Sequence, residues 1–116
     1  MTEQVEERAI RLASIVSIDI VGFSTMSERD QRNAARKVEN LRARVERVAA
    51  NQGGRLFNSA GDGFMLEFGS AGSALAAIQE ILDKRPRGEP PIRVGAHVGD
   101  VVVTATNDLL GHGVNV

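Results

Sequence analysis

Between Arg11 and Ile20 apolar and polar side chains alternate. Leu12, Ser14, Val16, Ile18 and Ile20 fall on one face, and Arg11, Ala13, Ile15, Ser17 and Asp19 on the other. This period of two predicts a strand whose even-numbered face enters the core, with Asp19 at its end on the opposite face beside small Ser17 and Ala13. A glycine-containing turn, Val21-Gly22-Phe23-Ser24, follows. Ser27-Glu28-Arg29-Asp30 then resembles a capping box with Asp in place of Glu. Ala34, Val38, Leu41, Val45 and Val48 recur behind it at helical spacing, as in a long amphipathic helix that stops at Gly53-Gly54. The other face of that helix (Arg36, Lys37, Glu39, Arg42, Arg44, Glu46, Arg47) mixes both signs of charge and reads as solvated.

Two further apolar runs, Arg55–Ser59 and Phe64–Phe68, flank Ala60-Gly61-Asp62-Gly63 and predict a hairpin with an acidic tip. Ser70 can cap a second helix with Ala71, Leu75, Ile78 and Leu82 as its apolar stripe, ending before Pro86. After a loop from Arg85 to Pro91, Ile92–Val98 and Val101–Thr104 read as two strands joined at Gly99-Asp100. A polar link, Thr106-Asn107-Asp108, leads to Gly111–Val116, where another helix could start. The order strand, helix, hairpin, helix, hairpin predicts an α+β, ferredoxin-like or palm-type sandwich, with an antiparallel-rich sheet and helices on one face.

Composition narrows the function classes. The 116 residues fit one small domain, read as a polar lead over residues 1–10 and a folded unit over 11–116. A net charge of −1 and only four aromatic residues, all Phe, leave neither a basic footprint nor stacking platforms, so nucleic acid is not an expected partner. The chain has no cysteine, which excludes disulfides, thiolate metal sites and cysteine nucleophiles and fits a cytoplasmic location. The acidic start, Met1 to Arg8, is not a signal peptide, and no apolar run is long enough to span a bilayer, so no membrane contact is expected from this chain.

Candidate chemistry rests on Asp19 and Asp62, two carboxylates at strand ends. If those strands are neighbours, the side chains can share one or two divalent cations beside a backbone turn able to receive phosphate. Each also has a plainer reading: Asp62-Gly63 is a common hairpin turn, and Asp19 could cap the next helix. Asp100 fits a turn. His97 and His112 have no His or Cys at metal-ligand spacing and read as structural, while Met26 and Met65 read as core filler.

Four blocks then resemble, in order and spacing, the class III adenylate/guanylate cyclase catalytic domain. They are Ser17-Ile18-Asp19-Ile20-Val21-Gly22-Phe23-Ser24, Ser59-Ala60-Gly61-Asp62-Gly63-Phe64, His97-Val98-Gly99-Asp100-Val101 and Asp108–Val116. The resemblance runs from Leu12 onward, has a bacterial flavour around Gly54-Arg55 and Asn58–Asp62, and implies that the chain ends partway through the family's domain. It implies that Asp19, Asp62 and the Ile20 carbonyl hold two Mg²⁺ or Mn²⁺ ions per site. The backbone amides of Val21, Gly22, Phe23 and Ser24 would face the nucleotide phosphates. Asn58 and Asp108 would read the purine, and Asn115 would position the ribose in the transition state. An arginine and a lysine that serve the family's phosphates would lie beyond Val116.

The implied reaction is attack of the ribose 3′-oxygen of ATP on the α-phosphorus, yielding 3′,5′-cyclic AMP and pyrophosphate for cyclic-nucleotide signalling. ATP is expected over GTP because ionised Asp108 can only accept hydrogen bonds, which suits the adenine amino group and opposes the guanine oxygen. A homodimer with shared active sites is implied, since the family draws the metal aspartates and the purine-reading residues from opposite subunits. Two alternatives remain. One is a non-catalytic cyclase-homology module for dimerisation or regulation, in which a metal aspartate is usually lost. The other is a diguanylate-cyclase or polymerase-palm relative, against which the Asp108–Asn115 block argues.

Overall fold

The structure, a computed structural model, describes residues 10–60, 63–103 and 109–110. Strand β1 (Ile10–Ile20) is followed by α1 (Phe23–Arg29), α2 (Gln31–Asn51), β2 (Arg55–Ala60), β3 (Gly63–Phe68), α3 (Ala71–Asp83), β4 (Ile92–Val103) and β5 (Leu109–Leu110). The five strands form one sheet in the order β2-β3-β1-β4-β5, every neighbouring pair antiparallel. β1 is therefore central and neighbours β3, and the α+β sandwich with helices on one face is the observed architecture.

The core sits between that face and the helices. Val16, Ile18 and Ile20 of β1 pack with Phe64, Leu66 and Phe68 of β3, with Leu41, Val45 and Val48 of α2, and with Ala74, Ala77 and Ile81 of α3. The period-two pattern of β1 thus holds where helices cover the sheet. It fails at Leu12, which lies on the same face but is 69% exposed. A smaller cluster of Ala13, Ile15 and Phe57, with Met65 against it, lies on the opposite face.

The first helical segment is two helices. Asp30 ends α1 and begins α2 in extended backbone (φ −156°, ψ 95°), and its side chain accepts from the Asn33 amide. The cap of the long helix is therefore Asp30 and not Ser27, which lies inside α1. At the other end, Gly53 N–H donates to Ala50 O and Gly54 N–H to Ala49 O, with Gly53 at φ +74°. This doubly bonded, left-handed ending satisfies orphan carbonyls and explains why a glycine stops the helix there. Gly54 is needed for a different reason, since a Cβ would lie 2.5 Å from Glu67 O and the Phe68 ring.

Two sequence expectations change. The buried stripe of α3 is Ala74, Ala77 and Ile81, while Leu75 is 59% and Leu82 45% exposed. Ser73, Gln79, Glu80 and Asp83 hold one side of the helix and the apolar residues a broad arc on the other, so periodicity places that arc but does not choose which part of it faces the sheet. β4 is also one continuous strand, not two joined at a turn. It pairs with all eleven residues of β1, including Ala13 with Gly99 and Leu12 with Asp100. Long-range pairing overrides the local turn propensity of Gly99-Asp100.

Candidate active site

Asp19 is the last odd-numbered residue of β1, and strand alternation turns it to the face without helices. There its side chain is exposed and makes no hydrogen bond or ion pair with any described residue. Register places Gly63 across from it on β3 and Arg93 across from it on β4. Gly63 is the residue after Asp62, so the two aspartate-bearing stretches meet at one end of the sheet. Asp62 itself lies outside the described residues, as do Asp108 and Asn115.

Asp19 borders two hollows on this face. One, of about 150 Å³, is lined by Ser17, Asn58, Gly63, Phe64 and Met65 besides Asp19. The other, of about 420 Å³, is lined by Ile15, Ser17, Asp19, Arg93, Gly95 and His97 among others. Gly95 keeps the floor low, because a Cβ there would approach Ser17 Oγ to 3.1 Å. Asn58 reaches this face through a β-bulge. Leu56 pairs with Leu66 but Asn58 with Met65, so Phe57 is extra and the following side chain is turned over. Without the bulge, strict alternation from Leu56 would aim Asn58 at the helical core.

The start of α1 is formed by Gly22, which sits at φ +74° with open space where a Cβ would be. Glycine adopts this left-handed turn without the penalty other residues carry. Of the four turn amides, that of Val21 donates to Pro91 O at 2.8 Å, tying the end of β1 to the approach to β4. The amides of Phe23 and Ser24 open α1, where no intrahelical carbonyl can receive them. Ile20 is buried and ends the strand.

The residues present suit a hard divalent cation, because Asp19 offers an exposed carboxylate with no described protein donor on its oxygens. Among the described residues no group of three or more His, Asp or Glu gathers at one point, and Asp19 is the one carboxylate lining the two hollows. Arg93 is the functional candidate that sequence reasoning missed. Its signal was available, since an isolated arginine in an otherwise apolar run marks the open face, but its position opposite Asp19 depends on strand register. Arg44 is a correction of the opposite kind: placed on the solvated face from sequence, it is buried and bonded to Glu89.

Fold and site together define a palm-type α+β domain with an acidic end to its central strand. No family model matches the chain. It is 36% identical over 115 residues to "Putative adenylate cyclase 3" of Rhizobium meliloti (strain 1021), a match that covers 91% of this chain and 19% of that protein's length. The crystal structure of adenylate/guanylate cyclase/hydrolase from Silicibacter pomeroyi superposes with a TM-score of 0.76 at 27% identity, covering 91% of this chain and 66% of that one. The guanylate cyclase domain of RhGC from Catenaria anguillulae, solved with GTP, gives a TM-score of 0.79 at 19% identity over 90% of this chain and 68% of its own, a likeness of fold. The chain belongs to the class III adenylate/guanylate cyclase family, whose catalytic-domain fold it has. Among the described residues no helix is long and apolar enough to cross a membrane.

Proposed function

We propose that this domain catalyses nucleotidyl cyclisation, converting ATP to 3′,5′-cyclic AMP and pyrophosphate. The observation that carries the proposal is Asp19: an exposed carboxylate without a described partner, at the end of the central strand, in register with the glycine that follows Asp62. Membership of the cyclase family supports the reaction class, and its adenylate and guanylate relatives leave the purine to be argued from this chain's own residues.

Asp19, Asp62 and the Ile20 carbonyl would hold two Mg²⁺ or Mn²⁺ ions, which when bound lower the pKa of the ribose 3′-hydroxyl and neutralise triphosphate charge. Arg93, one strand over from Asp19, adds a fixed positive charge for the triphosphate without needing a metal. The first amides of α1, at Phe23 and Ser24, offer donors to phosphate oxygens. Ser17 and Gly95 keep the adjoining floor small and open, so a flat group can lie against the sheet. Asn58 and Asp108 are the proposed purine contacts and Asn115 the ribose contact, with Asp108 favouring adenine for the acceptor reason given above.

The test is incubation of the purified full-length protein with ATP or GTP and Mn²⁺, followed by identification of the product. Formation of 3′,5′-cyclic AMP from ATP in preference to 3′,5′-cyclic GMP from GTP is the expected result. The absence of any cyclic nucleotide would favour the non-catalytic homology module instead.

A further inference from the structure

The charged face of α2 does not all look into solvent. The loop between α3 and β4 folds back over part of it, leaving a cleft of about 500 Å³ with Arg36, Lys37 and Asn40 on the helix wall and Pro86, Arg87 and Pro90 on the loop wall. We infer that this cleft docks an acidic segment of a partner protein.

The loop wall is anchored. Arg44 Nε donates to Glu89 Oε1 at 2.7 Å and its Nη2 to Glu89 Oε2 at 2.8 Å, while the same Nη2 also reaches Ile81 O at 2.9 Å. The two side chains are only 10% and 5% exposed, and Arg85 adds contacts to Glu89 and to the carbonyls of Glu89 and Pro90. A buried two-point pair of this kind fixes the loop against α2, so a ligand entering the cleft has little ordering to impose.

Charge selects the ligand. Glu89 is the one acid lining the cleft, and its carboxylate is already engaged by Arg44 and Arg85. Arg36, Lys37 and Arg87 have no carboxylate partner among the described residues; Arg36 donates only to the neutral Asn33 side chain. Three uncompensated cations on opposing walls repel one another and attract a chain of negative charge laid between them. A pocket built for a compact anion would instead converge buried donors on one point, and no buried side-chain donor stands unsatisfied among the described residues. Asn40 and exposed Pro86 supply an amide and an apolar edge suited to a polypeptide.

The experiment is an amide chemical-shift titration of the isotopically labelled full-length protein with hexaglutamate, at low and moderate salt. Shifts confined to residues 36–44 and 85–91, weakening with salt, are expected. The double variant Arg36→Glu/Arg87→Glu should weaken binding on the order of tenfold or more. Arg29→Glu/Arg47→Glu, which changes net charge equally at exposed positions outside the cleft, should leave it unchanged, and thermal unfolding should show both variants folded. Equal losses in the two variants, or shifts spread over the surface, would overturn the proposal as general charge attraction. So would displacement of hexaglutamate by equimolar pyrophosphate, which indicates a small-anion site, or binding to phosphatidylserine vesicles without response to the peptide, which indicates a membrane surface. Cyclase activity is not the readout, so failure here is distinct from failure of the catalytic proposal.

Discussion

Asp19 stands exposed with no described side-chain partner, next to an arginine on one neighbouring strand and a glycine on the other. A carboxylate kept free in this way contributes nothing visible to folding, so its replacement separates function from stability. Asp19→Asn is expected to lower Mn²⁺-dependent turnover by on the order of a hundredfold or more, as the loss of several kcal/mol of metal-assisted stabilisation requires. Unfolding should be unaltered, and undiminished turnover would remove Asp19 from the metal site. Arg93→Met tests the neighbouring charge. The loss of one charge-assisted contact, about 1.5–3 kcal/mol, should reduce kcat/KM roughly ten- to a hundredfold and weaken inhibition by tripolyphosphate in parallel. For the purine, Asp108→Ala should shift the ratio of kcat/KM for ATP over GTP toward unity by about 1–3 kcal/mol. A competition assay with both nucleotides reads that ratio directly, and an unchanged ratio would place purine selection elsewhere.

At the scale of elements, α3 separates sequence pattern from tertiary choice. Its apolar residues form a broad arc opposite Gln79, Glu80 and Asp83, and the sheet takes one part of it, Ala74, Ala77 and Ile81, while leaving Leu75 outward. Ile81→Ala should therefore destabilise the fold by about 2–5 kcal/mol, through lost burial and the cavity left behind. Leu75→Ala should cost under about 1 kcal/mol, because a half-exposed side chain leaves no sealed void. Denaturant unfolding of the two variants measures the difference, and the reverse order would mean that α3 is rotated. The bulge at Phe57 acts at the same scale. One inserted residue decides whether Asn58 faces the core or the hollow beside Asp19.

For the whole molecule, the helices cover one face of the sheet, and Asp19, Asn58 and Arg93 share the other. We propose, as the cyclase resemblance implies, that a second copy laid against that open face completes two equivalent sites by isologous pairing. The expected outcome is complementation: Asp19→Ala and Asn115→Ala proteins, each inactive alone, should recover activity when mixed, toward one intact site per mixed dimer. Recovery should track dimer formation measured by sedimentation, and no recovery from a fully dimeric mixture would count against sites shared between subunits.

The amino-acid sequence by itself determined the elements whose side chains have one consistent environment. β1 alternates because one of its faces meets a continuous core, and α2 shows its stripe because polar residues fill the rest of its circumference, so local order already carries the answer. It also carried the family, because Asp19, the glycine turns and the Asp62 hairpin stand in blocks that chemistry fixes. What only the tertiary structure decided were choices between local solutions of similar energy. Gly99-Asp100 could turn or extend, and pairing with β1 extended it. α3 could bury either of two stripes, and the sheet selected one. Arg44 could be solvated or paired, and the Glu89 loop buried it. Asn58 and Arg93 came to the site through a bulge and a strand register, both set by hydrogen bonds between residues far apart in the chain, which no local pattern encodes.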